Sequence, residues 1–277
     1  MRRAIVRPQI LLLSLHVSKG RTNENARVTK RFSNIYEDKS RADAYSQLEF
    51  PGTYGLAFRD LPAIIRAHGG GGDALDFGCG AGRSTRFLRN LGFRSVGVDI
   101  SGQMIQRARQ TDPDGEYLLV GEGDLAPLQG RQFDVILCAF TFDNIPLKRK
   151  PFCLRALIGA LKPSGIIVNL VSSSEIYVHE WASFSTIDFP ENRNATDGEL
   201  VRIVMLDVND RRPVHDILCT QRAYGELYQR ERLSIVEIHK PLGRPDDAIR
   251  WVNETRIAPW TIYVLKPENA ANPCVGS

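Results

Sequence analysis

The chain contains no run of about 20 apolar residues, no long lysine or arginine block, no C-x-x-C pair and no internal repeat. Each absence removes a class of protein. Without the long apolar run, no segment reads as a transmembrane helix. A formal charge of only +4, from 36 basic and 32 acidic residues scattered along 277 positions, gives nucleic-acid binding little support. The five cysteines, Cys79, Cys138, Cys153, Cys219 and Cys274, are far apart and odd in number, so they suggest neither a disulfide framework nor a zinc site. That usage fits a reducing cytoplasm, and no metal is implied.

What remains is an ordinary globular composition, 43% hydrophobic and 25% charged, in a chain long enough for one large α/β domain with insertions. The first 23 residues stand apart: Arg2, Arg3, Arg7, Lys19 and Arg21 precede the first acid, Glu24. The apolar run Ile10 to Leu15 is short for a signal segment and lacks a small-residue cleavage site. Residues 1–33 are therefore read as an extension outside the fold, with an organelle transit segment as the alternative. Residues 34–267 form the domain and 268–277 a tail.

Within the domain, residues 34–68 carry apolar positions at helical spacing in two pieces separated at Pro51-Gly52, predicting a two-helix cap. Tyr36, Tyr45 and Tyr54 lie in it. After the glycines at 69–72 the text alternates: ALDF, a glycine turn, a helix over 83–91, the strand SVGVDI at 95–100, a helix capped by Ser101, a strand at 117–120, FDVILCAF at 133–140, a helix over 151–161, and the turn KPSG into IIVNLV. Strand and helix in strict alternation predict a parallel sheet covered on both faces. Beyond Val171 the rhythm breaks. Residues 172–220 read as a substrate-side insertion with an antiparallel hairpin from RIVMLDV and HDILCT. A helix at 221–232 and the strands SIVEIHK and WTIYVL complete the sheet.

Gly78, Gly80 and Gly82 follow a strand and open a helix, where bare backbone can turn sharply and lie against a ligand. The helix start offers unpaired amides to an anion. Asp99 ends the next strand, where a carboxylate accepts from both hydroxyls of a ribose. The third glycine comes one residue earlier than in the dinucleotide fingerprint G-x-G-x-x-G, which disfavours NAD.

LDFGCGAGRSTRFL resembles the first motif of the class I S-adenosylmethionine-dependent methyltransferases of small-molecule type, and VGVDIS resembles their second. GEGDLAPL at 121–128 resembles the adenine segment, FDVILCAFTFDNIP the fourth-strand motif, and LKPSGIIV the turn into strand five, with Ser164 in place of the usual first glycine. The likeness covers about residues 34–266. It implies a Rossmann-like α/β fold: a seven-stranded methyltransferase sheet with helices on both faces, an N-terminal helical cap and a small antiparallel insertion after strand five. It implies S-adenosyl-L-methionine as cofactor. Asp76, Gly78, Cys79, Gly80 and Gly82 would frame its methionine part, Asp99 its ribose, and Ile100, Met104, Asp124 and Leu125 its adenine. Cys138, Ala139 and Phe140 would line the floor beneath the sulfonium.

The expected activity is methyl transfer to N, O or C of a small-molecule acceptor. The alternatives are an RNA methyltransferase, an NAD(P)-dependent oxidoreductase and a non-catalytic protein that only binds the cofactor. Phe140, Phe142 and Asp143 lie at the carboxyl end of strand four, where open α/β sheets bind ligands, and are candidates to line the acceptor pocket. Glu175, Tyr177, His179 and His215 on the insertion are weighed as acid–base groups, each against an ordinary surface or packing role. Trp181 and Phe184 are candidates to cover an apolar acceptor.

Overall fold

The computed structural model describes residues 52–268. The predicted extension, the first half of the cap with Tyr36 and Tyr45, and Cys274 lie outside the described residues. Two short helices, α1 (Gly52–Arg59) and α2 (Leu61–His68), lead into β1 (Asp73–Phe77), α3 (Arg83–Asn90), β2 (Arg94–Asp99), α4 (Gly102–Thr111), β3 (Glu116–Leu119) and β4 (Phe133–Ala139). Next come α5 (Thr141–Asn144), α6 (Lys150–Gly159), β5 (Leu161–Ser172), β6 (Phe184–Ser185), β7 (Leu200–Met205), β8 (Val214–Ile217), α7 (Gln221–Arg230), β9 (Leu233–His239) and β10 (Trp260–Pro267).

Seven strands form one sheet in the order β3-β2-β1-β4-β5-β10-β9. β1 to β5 pair in parallel, and β10 runs antiparallel to both β5 and β9. The strand order reverses between β1 and β4, the switch point at which such sheets open a crevice beyond their carboxyl ends. The predicted hairpin is β7 with β8, and β6 adds a third antiparallel strand. A two-residue strand carries too little periodicity to be read from sequence.

Alternate residues of the central strands feed opposite faces. Val135, Leu137, Ile166, Val168, Leu170 and Val264 pack under α1, α2 and the insertion, while Ile136, Cys138, Ile167, Val171 and Leu265 pack under α6 and α7. Burial on both faces explains why these strands read as unbroken apolar runs. Ser101 caps α4 by accepting from Met104 N at 3.3 Å, as its position implied. No helix among the described residues is long and apolar enough to cross a membrane.

A buried polar knot ties α1 to the insertion and to the loop before β10. Glu254, fully buried, accepts from Thr53 Oγ1 at 2.6 Å, Ala182 N at 2.7 Å and Val252 N at 2.8 Å. Thr53 N donates to Ser183 Oγ at 2.8 Å, and Trp260 Nε1 donates to the Thr53 carbonyl at 2.8 Å. A buried carboxylate persists where donors surround it.

Candidate functional site

The glycine turn runs from the end of β1 into α3 with φ of 77° at Gly78, 52° at Gly80 and 84° at Gly82, all in the left-handed region. The three glycines are there for different reasons. A Cβ at Gly78 would lie 2.3 Å from Thr141 Oγ1, and one at Gly82 would lie 2.5 Å from Tyr117 Oη. These two are glycine because protein packs against them. A Cβ at Gly80 would meet nothing within 4 Å. Its bare face opens outward, as a ligand cradle requires.

Asp99 fastens this turn. Its Oδ2 accepts from Gly80 N at 2.8 Å and its Oδ1 from Ser101 N at 2.8 Å, so one carboxylate joins the turn to the start of α4. Gly78 N and Cys79 N donate to the Val98 carbonyl at 2.8 and 3.0 Å, and Val120 N donates to the Asp99 carbonyl at 3.0 Å. Thr141 Oγ1 donates to the Phe77 carbonyl at 2.7 Å, drawing the end of β4 against the end of β1. The carboxyl ends of β1 to β4 are thus held side by side.

Asp76 lies behind the turn rather than in it. It is fully buried, with Oδ2 accepting from Ser84 Oγ and Thr85 Oγ1 at 2.6 Å each, so it anchors the first turn of α3. Its Oδ1 has no hydrogen-bond partner among the described residues. Burial raises its pKa to about 6 against the pull of the two hydroxyls. Cys79 is buried, and desolvation pushes the pKa of its thiol well up. Ile100 is 39% exposed beside the turn while Met104 is buried. Asp124 is exposed and accepts from Ala126 N at 3.0 Å, holding the segment that also carries Leu125. The Cys138 side chain is fully buried in the core on one face of the sheet; Ala139 and Phe140 face the other. Only the Cys138 backbone can contribute to a floor there.

Phe140 has φ 60° and ψ 5°, a left-handed conformation that costs a non-glycine residue about 1–2 kcal/mol. The strain is held by Phe140 N donating to the Leu170 carbonyl at 2.8 Å and by Asn144 Nδ2 donating to the Phe140 carbonyl at 3.2 Å. It turns the Phe140 ring onto Trp260, with centroids 4.7 Å apart, and onto Tyr54, at 5.4 Å. Phe184 completes this aromatic group at 5.1 Å from Tyr54 and 5.6 Å from Trp260. A cavity of about 30 Å³ lies against these rings and is also lined by Asp143 and Asp216.

Of the acceptor candidates, Phe140 and Asp143 reach this cavity, and Phe142 instead fills the core on the α6 side. Phe184 also reaches it, whereas Trp181 is buried and donates from Nε1 to the Ile176 carbonyl at 2.9 Å. Glu175 and His179 pair with each other at 3.1 Å at the surface, and His215 is exposed. Tyr177 is buried and donates to Asp216 Oδ2 at 3.1 Å. Sequence reasoning missed Asp216, Ser172, Trp260 and Lys150. Asp216 had a legible signal, since it occupies the inward position of β8 between two buried-face neighbours, Val214 and Leu218. Lys150 had none, because it closes the run Lys148-Arg149-Lys150, which reads as a solvated face yet delivers a fully buried ammonium.

Asp143 accepts from Ser172 N at 3.0 Å and from Ser172 Oγ at 2.9 Å. Burial, then the charge of Asp216, raises its pKa to about 7. Asp216 is raised to about 6 by burial, opposed by the Tyr177 hydroxyl and by Lys150. Lys150 donates to the Phe142 carbonyl, and burial lowers its pKa. A larger open groove of about 310 Å³ between α4 and β3, lined by Ile105, Gln106, Arg109 and Leu119, carries no comparable cluster.

The comparisons agree with this fold. A family model described as a methyltransferase domain matches residues 75–169. The trans-aconitate 2-methyltransferase of Rhodopseudomonas palustris is 33% identical over 114 residues, which are 39% of this chain and 43% of that protein, so the match spans less than half of the relative's length. The CcbJ methyltransferase of Streptomyces caelestis superposes with a TM-score of 0.57 at 18% identity, over 82% of this chain and 96% of that one. The DhpI structure in complex with SAH gives 0.52 at 18% identity, over 84% and 94%.

Proposed function

We propose that this chain, which carries a class I S-adenosylmethionine-dependent methyltransferase domain, moves a methyl group from S-adenosylmethionine to a small-molecule acceptor. The observation that carries the reading is the open face of Gly80 beside a carboxylate, Asp99, at the switch point of the sheet. The residues fit the cofactor. Gly78 to Gly82 would receive its methionine part, with Asp76 bracing the turn from behind. Asp99 would hold the ribose hydroxyls. Ile100 and Met104 would pack on the adenine, with Asp124 and Leu125 at its polar edge. Ala139, Phe140 and the Cys138 backbone would lie under the sulfonium.

When bound, S-adenosylmethionine supplies a methyl group already activated by its sulfonium. The protein's task is then to orient the acceptor atom and exclude water. The aromatic cavity at the end of β4 does both, because its walls are Tyr54, Phe184 and Trp260, each under 5% exposed. Titration calorimetry with S-adenosylmethionine, S-adenosylhomocysteine, NAD⁺ and NADP⁺ in parallel tests the reading. Binding of the first two alone is expected, and binding of a dinucleotide instead overturns it.

A further inference from the structure

Beside Phe140, the cavity brings together features that the cofactor does not use. Two carboxylates, Asp143 and Asp216, line it on one side, and the rings of Tyr54, Phe140, Phe184 and Trp260 on the other. Both acids are more than nine-tenths buried, and Lys150 is the ammonium that acts on the two of them. When both acids are ionised, two carboxylates against one ammonium leave a negative charge uncompensated in a medium that tolerates charge poorly. Asp143 is engaged through Ser172. Asp216 accepts from Tyr177 through Oδ2 and lines the cavity.

We propose that the acceptor is a small amine, received as its ammonium between Asp216 and Asp143 within the cavity walled by Tyr54, Phe140, Phe184 and Trp260. This deepens the methyltransferase reading and rests on it for the reaction. The ammonium supplies the missing positive charge, and the aromatic faces attract it further through their quadrupoles. A cavity of about 30 Å³ admits little more than such a head group, so the rest of the molecule lies toward the opening. Neutral alcohols leave the charge uncompensated, and anionic acceptors meet two carboxylates.

The same geometry prepares the nitrogen. An ammonium has no lone pair to offer, and the Asp216 carboxylate takes one proton from it: the N–H bond breaks, its electron pair stays on nitrogen, and the proton rests on the carboxyl. Burial, which raises Asp216 to about 6 and Asp143 to about 7, makes these carboxylates stronger bases than surface ones.

The test is saturation-transfer difference NMR on the full chain with S-adenosylhomocysteine, using n-butylamine, n-butanol and butyrate as probes of one size. Butylammonium is expected to bind at least tenfold more tightly than butanol, and butyrate not to bind. Asp216→Asn is expected to abolish the amine preference while leaving S-adenosylhomocysteine affinity, read by calorimetry, within twofold. If that variant does not fold, Asp143→Asn and the wild-type ratio decide. Equal or absent binding of amine relative to alcohol overturns the proposal, as does an amine preference that survives both substitutions. An amine preference in a protein that fails to bind S-adenosylhomocysteine removes the methyltransferase reading and leaves the amine site standing.

Discussion

At the residue scale, the glycine turn separates fold from ligand. Gly82 is constrained twice, by φ of 84° and by the Tyr117 hydroxyl 2.5 Å from where its Cβ would be. Gly82→Ala should therefore destabilise the protein by about 2 kcal/mol or more, read from urea unfolding. Gly80→Ala meets open space, so it should cost only about 1 kcal/mol of stability. It should nonetheless weaken S-adenosylhomocysteine binding at least tenfold, since the methyl group occupies the face offered to the ligand. A Gly80→Ala protein that binds normally would remove the turn from the site. Asp99→Ala takes away the anchor of Gly80 N and, with it, the carboxylate proposed to hold the ribose. Calorimetry should show affinity reduced by about 1–3 kcal/mol; unchanged affinity would contradict the assignment.

At the element scale, the β1-to-β5 alternation was readable because each strand is covered on both faces and each helix is amphipathic, so periodicity and burial agree. The turn glycines were readable because a sharp strand-to-helix turn favours them, and Asp99 because it ends the next strand. The acceptor cavity was legible only in part. Phe140, Asp143 and Phe184 were marked by their place in the chain, but Trp260 and Asp216 reach the cavity through antiparallel pairings that no local pattern encodes. The knot around Glu254 was invisible for the same reason: Thr53 and Glu254 are 201 positions apart. That knot holds α1, and with it Tyr54, over the cavity. Glu254→Ala should strand several buried donors and cost on the order of 3 kcal/mol in urea unfolding. It should also speed proteolysis within residues 241–259; wild-type cleavage rates there would show that the knot does not hold the loop.

At the scale of the whole molecule, the buried acids set how stability depends on pH. Asp76, Asp143 and Asp216 have folded pKa values of about 6, 7 and 6, all above their ordinary 3.8. Between 3.8 and those values the folded chain holds more protons than the unfolded one, so stability is present in full at the acid end and is lost as pH rises through 4 to 7. Asp60, Asp73, Asp112 and Asp134 act oppositely, being lowered in the fold, but their contribution fades only as pH falls through and below about 4. Lys150, lowered by burial, relieves its own penalty only as pH climbs toward 10.5. The melting temperature should therefore peak at mildly acidic pH and decline toward pH 8. Asp143→Asn keeps an acceptor for Ser172 N and removes the buried charge, so it should flatten that decline. At pH 8 it should raise stability in urea unfolding, because a carboxyl held at about 7 instead of 3.8 is ionised there at a cost to the fold. The same variant loses half of the acid pair proposed to face the acceptor, so the gain in stability should come with a loss of turnover. A variant no more stable than the wild type at pH 8, or a wild type whose melting temperature rises from pH 5 to 8, would show that this carboxylate is not held under strain in the fold.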